Sequence, residues 1–177
     1  MNKPYLRKIY KLRRMEISKD RRLEAKKSLL ETLVPLLSPF KKILSFASTQ
    51  YEIDLWPLNA LLAKDQRLCL PRLENHQINP YYVPEIDGHL LQSPYYVLEP
   101  DPKLCSPIAK SNLDCILVPG LCFDQNNHRL GYGLGHFDRF LKDVLTIPIF
   151  GIGFKEQFIP ELPSEPHDMT LTNLYLF

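Results

Sequence analysis

Residues 114–154 read DCILVPGLCFDQNNHRLGYGLGHFDRFLKDVLTIPIFGIGF, and their pattern decides the architecture. The apolar runs at either end, Asp114 to Gly120 and Ile147 to Phe154, are short and bounded by turn formers, as buried strands are. Between them Phe137, Phe140, Leu141, Val144 and Leu145 recur at i, i+3, i+4, i+7 and i+8, one apolar face of a helix. Of seven glycines in the chain, Gly120, Gly131, Gly133, Gly135, Gly151 and Gly153 fall inside this segment. Glycine loses much backbone entropy on folding, so its concentration marks a place needing unusual dihedrals or close backbone approach.

Working outward, Lys42 to Ser48 and Arg67 to Leu73 read as two further strands, with a helix from Asp54 through Leu62 that tolerates Pro57 only in its first turn. Tyr5 to about Leu37 has helical spacing broken at Ser18, a residue suited to cap a second helix. Leu23, Leu29, Leu30, Leu33, Leu36 and Leu37 form the apolar stripe of that helix. Residues 74–110 mix prolines, tyrosine pairs and polar residues, with strands expected at Asn79 to Val83 and Tyr95 to Leu98. The repeated strand–helix–strand order predicts a three-layer, Rossmann-like α/β sheet with mostly parallel central strands and helices on both faces. Ligands of such sheets sit beyond the carboxyl ends of the strands, where the glycine loop falls.

The 177 residues suit one domain, 1–177, able to bury roughly two thirds of its unfolded surface. No apolar run approaches the ~20 residues of a membrane span, and the basic front lacks the apolar core of a secretory signal, so a cytoplasmic protein without a membrane partner is expected. Cys69, Cys105, Cys115 and Cys122 are widely spaced without any Cys-x-x-Cys pair, which points to buried thiols rather than zinc or redox chemistry. Net charge is only +2, yet residues 1–27 hold eleven Lys or Arg against three acids. That front lacks aromatic interleaving or a nucleic-acid motif, so no nucleic-acid partner is expected.

Alternating glycines between a strand and a helix let successive N–H groups turn inward, and the helix start adds positive potential, a geometry suited to phosphate. Arg129 opens the loop with a planar donor fork. Neither Gly-x-Gly-x-x-Gly nor a Walker lysine is present, which excludes a dinucleotide fingerprint and a P-loop. Asp138, in the first turn of the helix, suits the dipole or, beside phosphate, a magnesium ion; Asp168 offers a second carboxylate on a polar loop. Lys3 and Arg7, four residues apart, present two cations on one helix face. Glu52 follows a strand at the ligand-bearing edge and suits the donors of a polar heterocycle, or simply a solvated loop. These features leave open an enzyme of phosphorylated substrates, such as a phosphosugar isomerase-like protein, and a noncatalytic nucleotide-binding protein.

Taken together, residues 119–141, PGLCFDQNNHRLGYGLGHFDRFL, resemble the defining segment of the 5-formyltetrahydrofolate cyclo-ligases, also called methenyltetrahydrofolate synthetases. KPYLRK (Lys3 to Lys8), YEID (Tyr51 to Asp54), CLPRL (Cys69 to Leu73), LEP (Leu98 to Pro100), FKEQ (Phe154 to Gln157) and PHD (Pro166 to Asp168) extend the likeness along the chain. It implies a monomeric enzyme of folate one-carbon metabolism that turns 5-formyltetrahydrofolate, including polyglutamylated forms, into 5,10-methenyltetrahydrofolate. ATP and Mg2+ are required, an iminium phosphate is the intermediate, and ADP and phosphate are released. By resemblance Lys3, Arg7 and Arg129 bind the ATP phosphates, and Gly131, Tyr132, Gly133, Leu134, Gly135, His136 and Phe137 wrap the nucleotide. Tyr132, Gly133, Gly135 and His136 of that loop also meet the formyl group. Arg129 and His136 are the implied catalytic residues, and Asp138 and Asp168 the implied metal ligands. Glu52 is implied to bind the pterin, Ala47 to line its pocket, and Tyr95 or Tyr96 to stand against the folate. The family usually reads Gly-Tyr-Tyr-Asp where this chain has Gly135-His136-Phe137-Asp138. Tyr132 and Leu134 stand where some relatives carry basic residues, which shifts phosphate binding toward Lys3, Arg7 and Arg129.

Overall fold

A computed structural model of the protein describes residues 2–144, 146–163, 165 and 169–177, and begins with two helices separated by a break at Ile17 and Ser18. α1 (Lys3–Glu16) starts behind Asn2, whose side chain accepts from the Tyr5 amide, and holds Pro4 in its first turn, where a missing N–H is harmless. α2 (Lys19–Leu36) is capped by Ser18, whose hydroxyl accepts from the Arg21 amide at 3.2 Å. Its core face is Ala25, Leu29, Leu33 and the following Leu37. Leu23, expected in that stripe, is exposed instead: it precedes Leu29 by six residues, an offset that turns it away.

β1 (Ile43–Leu44), α3 (Trp56–Lys64) and β2 (Leu68–Glu74) make a parallel strand–helix–strand unit, with Ile43 opposite Leu68 and Leu44 opposite Cys69. α3 starts later than Asp54, whose carboxylate stays outside and accepts from the Trp56 amide at 3.0 Å. β3 (Gln77–Tyr82) returns antiparallel across the turn Asn75-His76, where φ is 50° and 61°. Two left-handed residues match the twist of a tight hairpin, and they start β3 two residues before the expected Asn79. β4 (Leu90–Gln92) and β5 (Leu98–Pro100) form a second hairpin. Tyr95 and Tyr96 belong to its turn rather than to a strand from Tyr95 to Leu98, and Tyr96 has a φ of 59°. β6 (Ser106–Pro107) pairs with β3.

The decisive segment supplies β7 (Cys115–Val118), β8 (Cys122–Asp124), β9 (Arg129–Leu130), α4 (His136–Leu141) and β10 (Ile149–Gly153). β11 (Phe158–Ile159) and β12 (Asn173–Leu176) complete the strands among the described residues. α4 is shorter than its apolar series implies: Val144 is buried just beyond it, and Leu145 lies outside the described residues.

The main sheet runs β12-β10-β7-β1-β2-β3-β6, parallel from β12 to β2 and antiparallel beyond. Side chains alternate between its faces, as a two-residue repeat requires. Ile43, Leu68, Leu70, Cys115, Leu117 and Phe150 pack with α2 and α3, while Leu44, Cys69, Ile116, Val118 and Ile149 pack with Phe140 and Leu141 of α4. Both faces are therefore covered, and the expected layering holds. A third cluster seats Leu6 and Tyr10 of α1 against Leu121, Cys122, Leu130 and Ile159, on the small sheet β11-β8-β9. Chain order reverses between β1 and β7: β2 follows on one side of β1, β7 and β10 on the other. No helix among the described residues is long and apolar enough to cross a membrane.

Candidate active site

A cavity of about 830 Å3 opens at that reversal, beyond the carboxyl ends of β1 and β7, where open α/β sheets bind ligands. Phe46, Ala47, Thr49 and Glu52 enter it from the loop after β1, and Pro119 from the end of β7. Lys3, Arg7, Lys11 and Arg14 enter from α1, spaced four, four and three residues apart and so stacked on one helix face. The buried Leu6 and Tyr10, on the adjoining face, hold that helix to the body.

The glycine loop forms the facing wall. Gly133 has a φ of 101°, and a Cβ there would meet the Arg7 guanidinium at 3.2 Å. Arg7 Nε donates to the Gly131 carbonyl at 3.0 Å, so helix and loop are joined through a cation. Gly135, with a φ of 65°, turns the chain into α4. Arg129 is buried; its Nη2 donates to Asp138 Oδ1 at 2.7 Å and its guanidinium lies 5.5 Å from the centre of the Phe137 ring. The phosphate-binding arginine and the metal-binding acid implied by resemblance are thus joined to each other. Lys3 pairs with Glu165 at 2.8 Å.

His136 begins α4. Its Nδ1 lies 2.9 Å from Arg139 Nη2 and 3.1 Å from the His76 carbonyl oxygen, and it either accepts from the first or donates to the second. The turn between β2 and β3 therefore braces the start of α4. Tyr95 lines the cavity, whereas Tyr96 does not and is exposed. Asp168 lies outside the described residues, among which no group of three or more His, Cys, Asp or Glu could hold a metal ion.

At the deep end sits Glu52, buried rather than solvated. One carboxylate oxygen accepts from the Thr49 amide and hydroxyl, the other from the Tyr132 hydroxyl at 3.1 Å. The Tyr132 ring is half exposed at the cavity mouth, but its hydroxyl end is enclosed between Glu52 and Arg14. Burial first, then the charge of Glu52, push that phenol up to about 12 against the opposing pull of Arg14, so it is neutral in ordinary buffers. Glu99 also reaches the cavity, its carboxyl pushed up by burial against the opposing Leu73 backbone hydrogen bond and Arg72 charge.

Sequence reasoning singled out Lys3, Arg7, Ala47, Glu52, Tyr95, Arg129, the loop from Gly131 to Phe137, and Asp138, and the structure brings all of them to one cavity. It missed Lys11, Arg14 and Glu99. The signal for the first two was present, since positions 3, 7, 11 and 14 repeat the helical interval.

Fold and cleft define an α/β protein with a cavity at a sheet reversal, cationic and glycine-rich on its walls, with a buried acid at the far end. The model of the 5-formyltetrahydrofolate cyclo-ligase family matches residues 1–176, and the chain belongs to that family. The 5-formyltetrahydrofolate cyclo-ligase of Mycolicibacterium smegmatis is 32% identical over 88 residues, 49% of this chain and 45% of that protein, so the chain spans less than half of that relative's length. The enzyme of the same name from Haemophilus influenzae is 27% identical over 142 residues, covering 76% of this chain and 74% of the other. Among solved structures, the Aquifex aeolicus 5,10-methenyltetrahydrofolate synthetase superposes with a TM-score of 0.85 at 30% identity, covering 98% of this chain and 89% of that one.

Proposed function

We propose that the chain converts 5-formyltetrahydrofolate into 5,10-methenyltetrahydrofolate, consuming ATP and Mg2+ and releasing ADP and phosphate. Family membership supports the class of reaction. The observation that carries the assignment of parts is that a wall of cations and glycines and a buried acid face one cavity.

The formyl oxygen on N5 is a poor leaving group. Its attack on the terminal phosphorus of ATP forms an O–P bond, breaks the phosphoanhydride and releases ADP. The resulting iminium phosphate presents an electrophilic carbon to N10. Bond formation from N10 expels phosphate with the old carbonyl oxygen and, with loss of the N10 proton, leaves the methenyl bridge. Phosphoryl transfer of this kind relies on positioning and charge neutralisation rather than on covalent help from the protein.

The side chains present fit a triphosphate. Lys3, Arg7 and Lys11 neutralise it from α1, and Gly133, which lacks a Cβ, lets the glycine loop pack close against the Arg7 guanidinium. Asp138, with phosphate oxygens, would hold Mg2+, which commonly takes one or two carboxylates and supplies charge neutralisation. Arg129 orients Asp138 through their 2.7 Å bond, and His136 stands beside the same loop as a donor to the formyl or phosphate oxygen. Glu52 and Ala47 line the end assigned to the pterin, and Tyr95 the wall assigned to the remaining folate, polyglutamylated forms included. On the same reading the working unit is a single-domain cytoplasmic monomer.

Purified protein mixed with 5-formyltetrahydrofolate and Mg-ATP is expected to generate the near-ultraviolet absorbance of the methenyl product. A folded protein that forms no product and binds no ATP removes the proposal.

A further inference from the structure

The deep end of the cavity holds a charge that phosphate binding does not use. Arg14 is only 4% exposed, and its Nη1 lies 3.6 Å from Glu52 Oε1. Its Nη2 donates to the Tyr132 hydroxyl, which in turn donates to the same Glu52 oxygen. Arg14 Nε is buried without a hydrogen-bond partner among the described residues. From α2, Arg22 donates to the Arg14 carbonyl and, at 3.1 Å, to the Ile17 carbonyl, clamping the end of α1. The helix turn that carries Arg14 is therefore fixed from behind while its side chain reaches Glu52.

A buried carboxylate without a positive neighbour favours its neutral form. Protonation replaces an acceptor with a donor. The edge of a reduced pterin that carries an amino group and a ring N–H offers paired donors, so it requires an acceptor-only carboxylate. Tyr132, neutral, cannot supply the missing charge. The other groups around Glu52 are Lys11 of α1 in the same cavity, Tyr51 of its own loop, and Arg22, whose guanidinium lies 5.9 Å from the Tyr51 ring centre. Asp54, two residues on, is paired with Lys26 at 3.2 Å. Among these cations Arg14 is the one that reaches within an ion-pair distance of Glu52.

We infer that Arg14 is a positioning residue that keeps Glu52 a charged, acceptor-only carboxylate aimed at the pterin edge of the substrate. The inference rests on the reading of Glu52 as the pterin-binding acid.

The test is calorimetric titration of the full chain with 5-formyltetrahydrofolate, without ATP, from about pH 6 to 9, in wild type, Arg14→Gln, Arg14→Lys and Glu52→Gln. A buried carboxylate stripped of its ion-pair partner takes up a proton more readily as pH falls. Affinity of Arg14→Gln is then expected to weaken toward acid pH, by up to about tenfold per pH unit, and to recover toward alkaline pH. Wild type and Arg14→Lys, which retains a positive charge, are expected to stay nearly flat. Adding Arg14→Gln to Glu52→Gln is expected to cost little more, because the two changes act on one interaction. A pH profile for Arg14→Gln parallel to that of wild type overturns the inference, as does a loss of Mg-ATP affinity equal to its loss of folate affinity. Should Arg14→Gln fail to fold, the double variant lacks the stranded carboxylate and is expected to regain melting temperature; a double variant no more stable than the single one is equally fatal. Wild-type protein that binds no folate at any pH removes the substrate reading itself, a result separable from failure of Arg14 alone.

Discussion

Arg129 and Asp138 work as one unit, because a buried guanidinium held at 2.7 Å fixes the carboxylate that would share a magnesium ion with phosphate. Asp138→Asn keeps the shape and removes the charge. It is expected to raise the magnesium concentration needed for half-maximal rate and to lower stability by about 1–3 kcal/mol, discounted for the partial exposure of Asp138. Magnesium titrations of the initial rate and urea midpoints measure the two effects, and a variant unchanged in both removes Asp138 from the metal site. His136 begins α4 and lines the same cavity. If it donates to the formyl or phosphate oxygen, His136→Ala lowers kcat or raises a KM; unchanged turnover and substrate affinity would end that role. Gly133 is a backbone position rather than a side-chain one: with a φ of 101° and the Arg7 guanidinium 3.2 Å from where a methyl group would stand, Gly133→Ala strains the loop and displaces Arg7 together. Its ATP KM is expected to rise more than its folate KM.

At the scale of elements, α1 carries the cationic wall yet is held to the body by few apolar groups, chiefly the buried Leu6 and Tyr10. Leu6→Ala is expected to cost about 2–5 kcal/mol, the usual range for a buried leucine, and to weaken ATP binding. Hydrogen exchange that shows α1 amides opening no faster in this variant would contradict the anchoring. The helices and central strands were readable because burial on both sheet faces writes long apolar runs, as at Cys115 to Val118 and Ile149 to Gly153. β8, β9 and β11 were not, being two or three residues long: β8 and β9 pair across a turn without glycine, and β11 joins β8 from a distant part of the chain. The Asn75-His76 turn carried no glycine to announce two left-handed residues, so the start of β3 was expected two residues late. Among site residues, Lys3, Arg7, Glu52, Arg129 and Asp138 were named from motif and position. Arg14 was lost among the eleven basic residues of the front: the interval 3, 7, 11, 14 marked its helix face, but its partner Glu52, 38 residues away, was brought to it only by the fold.

For the molecule as a whole, the four thiols report on the fold without taking part in the site. Cys69, Cys105, Cys115 and Cys122 are all free and buried, distributed over the sheet and its flanking clusters. Burial pushes Cys69, Cys115 and Cys122 up to about 12, so neither access nor thiolate is available in the folded state. Reaction with an aromatic disulfide reagent is therefore expected to be slow in native buffer and complete in denaturant. Where reclosing outpaces labelling, the native rate measures the population of the opened molecule. A ligand that binds only the folded chain lowers that population by a factor of one plus the ratio of its free concentration to Kd, about a hundredfold at a hundred times its Kd. Mg-ATP and 5-formyltetrahydrofolate are each expected to slow labelling, and the pair to slow it further, if both bind as proposed in the cavity whose walls are drawn from α1, the β1 loop and the glycine loop. Labelling that is rapid in native buffer contradicts the buried thiols. Labelling that is slow but indifferent to both ligands leaves the fold standing and removes the cavity as their binding place.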